Sequence, residues 1–384
     1  MPDDRLFGPT FTTAEMAAAV SDQAWLRAML QFEAALARAE AGVGLVPRAA
    51  AEAISAACSA GGLDITAIGR QAPASGTPVV PMLEALRARL PEPAREHLHR
   101  GATSQDVLDT ALMLVARHGL ELLAADLAGV AAAAAELARR QRTTVMPART
   151  LLQQALPTTF GLKAAGWLVG VLEAADRLEA YLGTRVAVQL GGPAGTLSGF
   201  GEQGLAVRRE LAAELGLREP LLPWHTARAR VAELGAVLAL AAGSVAKIAL
   251  DVVLLAQTEV GEVSEPAAPG RGASSAMPHK RNPALSVAVL AGARGVQAQA
   301  GLLLGVMVQA HERAAGEWQA EWPAVSEAFR LTAGAVARTR EVLEGLEVHG
   351  ERMRANLRVE GSTGSAEALI DLALADYERR VQGA

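Results

Sequence analysis

The stretch SQDVLDTALMLVARHGLELLAADLAGVAAAAAELARRQR, residues 104–142, has the pattern of a helix of more than thirty residues. It contains no proline and only two isolated glycines, Gly119 and Gly129. Further helical runs are predicted over 157–183, 226–262, 283–315 and 320–346. Helices of this length are too long for the core of one compact monomer. We therefore expect an all-α fold, an elongated central helical bundle within an oligomer.

The composition of the 384 residues supports a helical fold, because 51% are hydrophobic but only 3% are aromatic. Alanine makes up roughly a fifth of the chain, far above ordinary usage. Strands favour β-branched and aromatic residues, so a sheet-rich fold is disfavoured. The apolar content and a net charge of only −5 exclude a disordered chain. The single cysteine cannot form an internal disulfide, and a pI of about 5.9 without a basic block disfavours nucleic acid as a partner.

The chain is apolar on average, but charged residues interrupt every apolar stretch before it reaches the roughly 20 residues that a membrane-spanning helix needs. Lys247 and Asp251, for example, break the run 234–256. The N-terminal residues lack the charged and apolar regions of a secretory signal. We therefore expect a soluble, cytoplasmic protein with no membrane partner, whose apolar helices are buried.

Glycine and proline divide the chain into three predicted parts. These are an N-terminal helical domain, a long-helix bundle and a short C-terminal helical segment, over 1–100, 101–345 and 346–384 respectively. Within the first part we expect helices at 14–42 and 47–60 and a loop at 69–81. The residues 224–226, WHT, fit a cap for the helix that follows. No β-hairpin signal of the Asn-Gly type occurs.

The segment 99–110, HRGATSQDVLDT, precedes and begins the first long helix. Thr103 or Ser104 is placed to cap this helix, and Asp106 suits its first turn. The free N–H groups and the dipole of a helix start also form a binding site for a carboxylate. The alternative is a plain capping box, with His99 a solvated histidine before a turn.

Two further segments carry unusual side chains. In the apolar stretch 147–157, the polar residues Arg149, Gln153 and Gln154 need partners if they are buried. A ligand could supply those partners, and ordinary hydrogen bonding between helices is the alternative. The segment 311–322, HERAAGEWQAEW, contains two of the five tryptophans. It is either part of a site or a helix corner with tryptophan in the core.

The loop 270–283 reads GRGASSAMPHKRNP. Its glycines and prolines favour a loop that can fold over a ligand. Asn282 and Pro283 fit the N-cap and the first position of the next helix, which places Lys280 at a positive helix end suited to an anion. Lys280 is one of only three lysines in a chain that otherwise uses arginine. The alternative is a flexible surface loop.

This loop resembles the signature of the fumarase/aspartase superfamily, Gly-Ser-Ser-x-Met-Pro-x-Lys-x-Asn. Ala273 precedes the two serines, so Gly272 is shifted by one position, and the remainder matches. The segments at Thr103 and Arg149 match in the family's order, and the resemblance extends over nearly the whole chain. It implies a cofactor-free lyase that cleaves C–N or C–O bonds beta to a carboxylate, in homotetramers whose active sites each draw on three subunits. Many members continue into a further C-terminal domain, which we expect to be truncated here.

Within the superfamily, the chain resembles the cycloisomerases that act on carboxymuconates. Residues 101–110 and 311–322 carry this resemblance, together with Leu151, which stands where the lyases have an acid–base histidine. It implies interconversion of a carboxymuconate and its lactone through an aci-carboxylate intermediate. One alternative is an adenylosuccinate-lyase-like eliminase, for which a histidine near Leu151 and phosphate-binding basic residues are expected. Another is a catalytically inert relative of the crystallin type.

The resemblance also implies the roles of individual residues. Ser274 is expected to transfer a proton, while Lys280 and Asn282 stabilise the dianionic intermediate, which needs concentrated positive charge. The residues expected to bind a polycarboxylate substrate are His99, Thr103, Ser104, Gln105, Arg149, Thr150, Gln153, Ser275, Met277 and His279. No metal ion or cofactor is expected to take part.

Overall fold

The structure is a computed structural model that describes residues 6–269, 271–272, 277 and 280–383. The helices are α1 Gly8–Phe11, α2 Ala14–Ala19, α3 Asp22–Gly42, α4 Arg48–Ser59, α5 Ile65–Ser75, α6 Val79–Arg87, α7 Glu92–Arg95, α8 Ser104–Arg140, α9 Phe160–Thr184, α10 Gly204–Leu215, α11 Ala229–Leu255, α12 Ala284–Gly305, α13 Glu317–Glu344, α14 Gly350–Asn356 and α15 Ala366–Gly383. The strands are β1 Val145–Thr150, β2 Gln153–Thr159, β3 Val263–Ser264 and β4 Glu347–Val348, which pair as β1–β2 and β3–β4. The expectation of a helical fold is confirmed. The division of the chain at 100 and 345 stays a prediction.

The helices α8, α9, α11, α12 and α13 pack together as a bundle. Arg228, just before α11, and Trp318, at the start of α13, both bond Asp109 near the start of α8. These three helices therefore begin at one end of the bundle, which we call the lower end, and finish at the upper end. α8 has 37 residues. At about 1.5 Å per residue, its two ends lie roughly 55 Å apart.

The N-terminal helices differ from the prediction at two points. The predicted helix 14–42 is broken at Ser21, whose Oγ accepts a backbone N–H at 3.2 Å and so begins a new helix, α3. The predicted loop 69–81 is wrong, because α5 continues through Pro73. Asp64 caps the start of α5 by accepting a backbone N–H at 3.0 Å. Proline near the end of a short helix removes one hydrogen bond, which this helix tolerates.

Two of the long helices, α11 and α12, are shorter than their apolar patterns predict. α11 begins at Ala229 rather than 226, and α12 ends at Gly305 rather than 315. Residues left outside these helices form buried polar contacts instead, such as those of Arg228 and Gln309 with Glu321. The helical spacing of apolar residues cannot predict these contacts, because they depend on partners far along the chain.

A β-hairpin that the sequence did not predict lies at the upper end. β1 and β2 pair antiparallel, with Thr150 opposite Gln153 next to the turn. The turn consists of Leu151 and Leu152, with φ of 49° and 66°. Two-residue hairpin turns need positive φ, for which asparagine and glycine are the usual residues. The hairpin was not predicted because leucine is not a usual residue of such a turn. Leu151 and Leu152 are 96% and 73% exposed.

Two bundle helices keep an uncovered apolar face. The expectation that charged residues make every apolar stretch too short to cross a membrane is wrong for α11 and α12, which are long and apolar enough by length and composition alone. Only 44% and 33% of their most apolar windows are buried within the chain. Exposed apolar side chains on these helices are Leu240, Leu250, Val287, Leu302 and Leu304. Both helices also pack against the other bundle helices. A single chain therefore leaves apolar surface exposed along its bundle, which is typical of an interaction surface.

Replacement of Gly119 by alanine tests the close packing of α8 against α13. A Cβ atom at Gly119 would lie 2.8 Å from the ring of Phe329, which is fully buried. We expect Gly119→Ala to lower the unfolding temperature, because overpacking costs about 1–3 kcal/mol while alanine contributes only roughly 1 kcal/mol in a helix. Gly69→Ala in α5 is the control, since nothing lies within 4 Å of its Cβ position. An unfolding temperature for Gly119→Ala at or above that of the control would contradict this packing.

Candidate active site

The start of α8 is capped as the sequence predicted. Thr103 is the N-cap residue, and its N–H donates to Oδ2 of Asp106 at 3.0 Å. Thr103 and Ser104 are half-buried, so their hydroxyl groups lie at the edge of the protein interior. The start of a long helix concentrates N–H donors and partial positive charge, which suits a carboxylate ligand.

Asp106 holds separate parts of the chain together at the lower end. Its side chain is fully buried and accepts the N–H groups of Gly191 at 3.0 Å and Gly192 at 2.9 Å. Nε2 of the buried His225 lies 2.7 Å from Oδ1 of Asp106. The sequence placed His225 only in a helix cap, and the fold brings it to a carboxylate 119 residues away. The connection 191–196 is thereby held against the start of α8.

A second buried network lies one turn further along α8. Arg228 is almost completely buried and donates to Asp109 through Nη1 at 2.7 Å and Nη2 at 3.0 Å. Arg228 also donates to Glu321, and Nε1 of Trp318 donates to Asp109 at 3.1 Å. A buried charge that lacks a partner is strongly destabilising. These contacts therefore hold the segment 311–322 to the lower end of the bundle.

Gln105, a predicted substrate-binding residue, is turned toward this network. Its side chain is 2% exposed. Its Nε2 donates to the backbone oxygen of His225 at 2.7 Å and to Oδ2 of Asp109 at 3.2 Å. The side chain supports the buried network, and its role toward a substrate stays a prediction.

His99 is held by a buried glutamate of α3. Its Nδ1 lies 2.7 Å from Oε1 of Glu33, whose side chain is fully buried. Burial alone lowers the pKa of His99, but the charge and the hydrogen bond of Glu33 outweigh burial and raise that pKa above its usual value. The negative charge of Asp106, in the first turn of α8, also raises this pKa. The alternative of a solvated histidine is wrong, because only 15% of the side chain is exposed.

At the upper end, the hairpin places Arg149 in an ion pair. Its Nη1 and Nη2 donate to Glu262 at 2.9 and 2.6 Å, and Nδ2 of Asn356 donates to the same carboxylate at 2.8 Å. Glu262 is fully buried, so Arg149 neutralises a charge that would otherwise be costly. Thr150 and Gln153 are exposed on either side of the turn, where a ligand or another chain can reach them.

Asn282 closes the base of the loop. Its backbone N–H and its Nδ2 both donate to the backbone oxygen of Gly272, at 3.1 and 3.0 Å. A Cβ atom at Gly272, where φ is 64°, would clash with the backbone oxygen of Asn282, so this close approach requires glycine. The helix α12 begins at Ala284, and the prediction that Asn282 is its N-cap is wrong.

The start of α12 is also not an open positive helix end, contrary to the expectation. The N–H groups of Leu285 and Ser286 donate to the carboxylate of Glu265, at 3.1 and 2.7 Å. A carboxylate of the chain itself thus occupies the position that an anionic ligand would take at a helix start. Any positive charge that binds an anion near the start of α12 must therefore come from side chains.

Lys280 supplies such a charge and differs in its surroundings from the other two lysines. Lys163 and Lys247 both lie beside Asp251, Lys163 at 3.6 Å. Lys280 is exposed and lines a cavity of about 300 Å³ at the base of the loop. It forms no ion pair with any residue that the structure describes. An unpaired, compact ammonium is therefore available next to the loop.

The remaining predicted loop residues are only partly described. Met277 is 42% exposed. Ser274, Ser275 and His279 lie outside the described residues, so their roles stay predictions. Within the part of the chain that the structure covers, no group of three or more histidine, cysteine, aspartate or glutamate side chains is arranged to hold a metal ion.

The predicted site residues fall into two clusters at opposite ends of the bundle. The lower cluster contains His99, Thr103, Ser104 and Gln105, and the upper cluster contains Arg149, Thr150, Gln153, Met277, Lys280 and Asn282. The length of α8, roughly 55 Å, separates them. A small polycarboxylate cannot span this distance, so one chain alone does not gather all of the predicted groups.

Comparison with known proteins agrees with this fold. The model of a lyase family matches residues 9–298. The chain is 46% identical over 374 residues to the 3-carboxy-cis,cis-muconate cycloisomerase of Bradyrhizobium diazoefficiens, which covers 97% of this chain and 83% of that protein. It is 48% identical over 370 residues to nitrosuccinate lyase of Streptomyces davaonensis, which covers 94% of this chain and 78% of that protein. The crystal structure of the 3-carboxy-cis,cis-muconate lactonizing enzyme from Pseudomonas putida matches with a TM-score of 0.93 at 33% identity, over 98% of this chain and 99% of that chain.

The chain belongs to the fumarase/aspartase superfamily of lyases. The resemblance drawn from the loop is therefore confirmed. The sequence did not identify a functional role for four residues whose partners lie far along the chain: Glu33, His225, Arg228 and Glu262. A charged residue at an apolar helix position, such as Glu33 in α3, is the one signal that could have drawn attention to them.

Glu40 provides a test of the buried charges around His99. Neither oxygen of its carboxylate accepts a hydrogen bond, and Nη1 of Arg100 lies 3.8 Å from Oε1. Burial raises the pKa of Glu40 to about 8, although Arg100 lowers it. In the unfolded chain this carboxyl group ionises near pH 4.5, while the folded protein keeps it protonated up to about pH 8. Folding stability therefore falls by about 1.4 kcal/mol for each pH unit across this range.

We expect Glu40→Gln to remove this pH dependence, because glutamine keeps the shape without the ionisation. At pH 5 the variant and the wild type should unfold at similar urea concentrations. At pH 8.5 the variant should be more stable, by on the order of 4 kcal/mol. Equal losses of stability between the two pH values in both proteins would contradict a buried, protonated Glu40.

Proposed function

We propose that this protein is a 3-carboxy-cis,cis-muconate cycloisomerase, which interconverts 3-carboxy-cis,cis-muconate and 4-carboxymuconolactone in protocatechuate catabolism. The observation that carries the proposal is Leu151, 96% exposed at the hairpin turn, in a chain similar over 97% of its length to such an enzyme. In the lyases of the resemblance, an acid–base histidine stands there. Leucine cannot transfer a proton, so the proton has to come from another group.

The proposed reaction needs one proton transfer and the stabilisation of one dianion. In lactonisation, an oxygen of a substrate carboxylate bonds to one carbon of a double bond, and the neighbouring carbon, alpha to another carboxylate, takes a proton. The electron pair of the double bond is held in an aci-carboxylate intermediate until the proton is added. Cations and hydrogen-bond donors stabilise the negative charge of this intermediate. Lys280 supplies an ammonium that has no ion-pair partner among the described residues, and Ser274 transfers the proton. The attack is intramolecular, which lowers its entropic barrier.

The lower cluster supplies donors for the other carboxylates of the substrate. Thr103 and Ser104 stand half-buried at the start of α8, where the helix dipole favours negative charge. His99 lies near this helix start and carries a raised pKa, so it favours the imidazolium form that binds a carboxylate. Three anionic groups of one substrate are thus matched by helix N–H groups, an imidazolium and an ammonium.

Arg149 and Asn282 contribute mainly by holding the upper cluster in shape. The guanidinium of Arg149 is committed to Glu262, which fixes the hairpin against β3. Nδ2 of Asn282 is committed to the backbone oxygen of Gly272, which fixes the base of the loop next to Lys280. Both residues therefore set where the exposed groups of the hairpin and loop are presented.

The proposed enzyme is a homotetramer whose active sites are shared between subunits. Two observations support this proposal: the two clusters lie roughly 55 Å apart within one chain, and α11 and α12 leave apolar faces uncovered. Antiparallel packing of copies along these faces would bring the lower end of one chain to the upper end of another. A soluble cytoplasmic tetramer buries the apolar faces that a single chain exposes.

A nitrosuccinate-cleaving enzyme is the second candidate, because the lyase of Streptomyces davaonensis shares 48% identity with this chain. The test is an assay of the purified protein with 3-carboxy-cis,cis-muconate, nitrosuccinate and adenylosuccinate in parallel. We expect loss of carboxymuconate absorbance and a higher kcat/KM for this substrate than for the other two. Turnover of nitrosuccinate or adenylosuccinate alone would assign the protein to the eliminating lyases.

Complementation between inactive subunits tests the shared site. Lys280→Met should lower kcat/KM by at least about 100-fold, as loss of one transition-state donor typically does. Ser104→Asp should also abolish turnover, because its carboxylate repels the substrate at the lower cluster. If the two residues act from different subunits, co-expression of both variants leaves roughly a quarter of the sites with both wild-type groups, and activity returns.

The control for this experiment is co-expression of Lys280→Met with the double variant Ser104→Asp/Lys280→Met. No mixed tetramer of that pair contains a wild-type Lys280, so no activity should return. Mixed tetramers of the two single variants, isolated by different affinity tags, that remain inactive would show that the clusters do not meet between subunits.

A further inference from the structure

Glu33 is a buried carboxylate that the proposed chemistry does not use. It lies on α3 with its side chain fully buried, and its Oε1 is 2.7 Å from Nδ1 of His99, 66 residues away along the chain. Its other oxygen, Oε2, is buried without a hydrogen-bond partner. Burying a carboxylate is costly unless a charged partner compensates for it. His99 is that partner, so the contact between the two residues is an electrostatic interaction and not only a packing contact.

The backbone at His99 is held in an unusual conformation. Its φ is 60°, in the left-handed region that residues other than glycine seldom adopt. Gly101, two residues later, also has a positive φ, of 69°, and the chain here passes so close to Gly199 that no side chain fits there. A strained residue persists where its surroundings fix it, and such positions are frequent at functional sites. The turn and Glu33 together fix where the imidazole ring points.

The ring of His99 has one nitrogen left for a ligand. Nδ1 faces Glu33, while Nε2 makes no hydrogen bond to the residues that the structure describes. The side chain is 15% exposed, so part of the ring remains accessible. His99 precedes Thr103, the N-cap residue of α8, by four residues, so the chain holds it near this helix start and Ser104. A carboxylate bound at that helix start would meet Nε2 as a further donor.

The charged and titratable groups around His99 come from several elements. They are Glu33 and Glu40 on α3, Cys58 on α4, Arg87 on α6, Arg100 beside it and Asp106 on α8. Glu33 and Asp106 favour the protonated ring, whereas burial and Arg87 oppose it. Burial raises the pKa of both Glu40 and Cys58, which keeps these two groups neutral near pH 7. Glu33 is therefore the group whose charge decides the state of the ring.

We propose that Glu33 is a positioning residue, which holds Nδ1 of His99 and so directs the protonated Nε2 at a substrate carboxylate bound at the start of α8. No bond is made or broken by Glu33, and it does not touch the substrate. Its effect is to favour the imidazolium form of this ring and to keep the ring correctly turned at the lower cluster. The inference rests on the proposed function for the identity of the carboxylate substrate.

The test compares Glu33→Gln with the wild type and with a matched control, Glu40→Gln. Both variants replace a buried glutamate on α3 by glutamine, but only Glu33 contacts His99, and Glu40 is already neutral near pH 7. At pH 7.5 we expect KM of Glu33→Gln to rise about tenfold with kcat within about twofold, because loss of a charge partner lowers the pKa of the ring by roughly one unit. The alkaline limb of kcat/KM should move to lower pH by the same amount. Glu33→Asp, which keeps the charge, should recover part of this loss, and Glu40→Gln should match the wild type.

A second measurement does not depend on turnover. Hydrogen–deuterium exchange at C2 of the imidazole, followed by mass spectrometry with fragmentation that separates His97 from His99, gives the pKa of His99 directly. It should lie above the ordinary value of 6.5 in the wild type and in Glu40→Gln, and below it in Glu33→Gln. Tricarballylate, a saturated tricarboxylate, should raise it further in the wild type and have little effect in Glu33→Gln.

The two measurements separate the failure of this inference from the failure of the proposed function. A wild type that turns over no carboxymuconate overturns the proposed function, while the exchange experiment with tricarballylate still decides the role of Glu33. An unchanged His99 pKa in Glu33→Gln overturns the inference. So does a lowered pKa with no change in KM or in the response to tricarballylate, since Glu33 would then have only a structural role.

Discussion

One rigid helix sets the geometry of this protein. α8 runs for 37 residues without a proline and packs against α3, α9 and α13 along its length. It spans roughly 55 Å, and chemically useful groups stand at both of its ends. A helix held straight by its own hydrogen bonds and by neighbours on several sides cannot bend to bring these ends together. The joint role that we propose for the two clusters therefore depends on contacts between copies, and the uncovered faces of α11 and α12 offer a surface for such contacts.

The side chains at the two ends of the bundle are held in place by different kinds of interaction. At the lower end, Asp106, Asp109 and Arg228 are buried and fully paired, and each joins segments that are remote in sequence. Such a network is stable only when complete, because removal of one partner leaves a buried charge uncompensated. It therefore fixes the donors around the start of α8 firmly. The strained backbone at His99 is sustained within the same rigid framework.

The upper end instead presents exposed groups on irregular backbone. The leucine turn of the hairpin is strained and almost entirely exposed, and Lys280 has no ion-pair partner among the described residues. Among the described residues, the bases of these segments are secured by Arg149 with Glu262 and by Asn282 with Gly272. A rigid set of anion donors at one end and an unpaired cation on a loop at the other suit a site that is completed when two chains meet.

The sequence by itself determined the features that depend on near neighbours and on a contiguous motif. The helical period located the bundle helices, the pattern at Thr103 and Asp106 predicted the cap of α8, and the loop residues around Lys280 indicated the superfamily. Only the tertiary structure decided the pairs His99–Glu33 and Arg149–Glu262, the occupation of the start of α12 by Glu265, and the hairpin behind its leucine turn. The reason is physical: a local pattern reports residues three or four positions apart, whereas these contacts join residues that only folding brings together. Burial then decides which polar side chains are committed to partners and which remain free for a ligand.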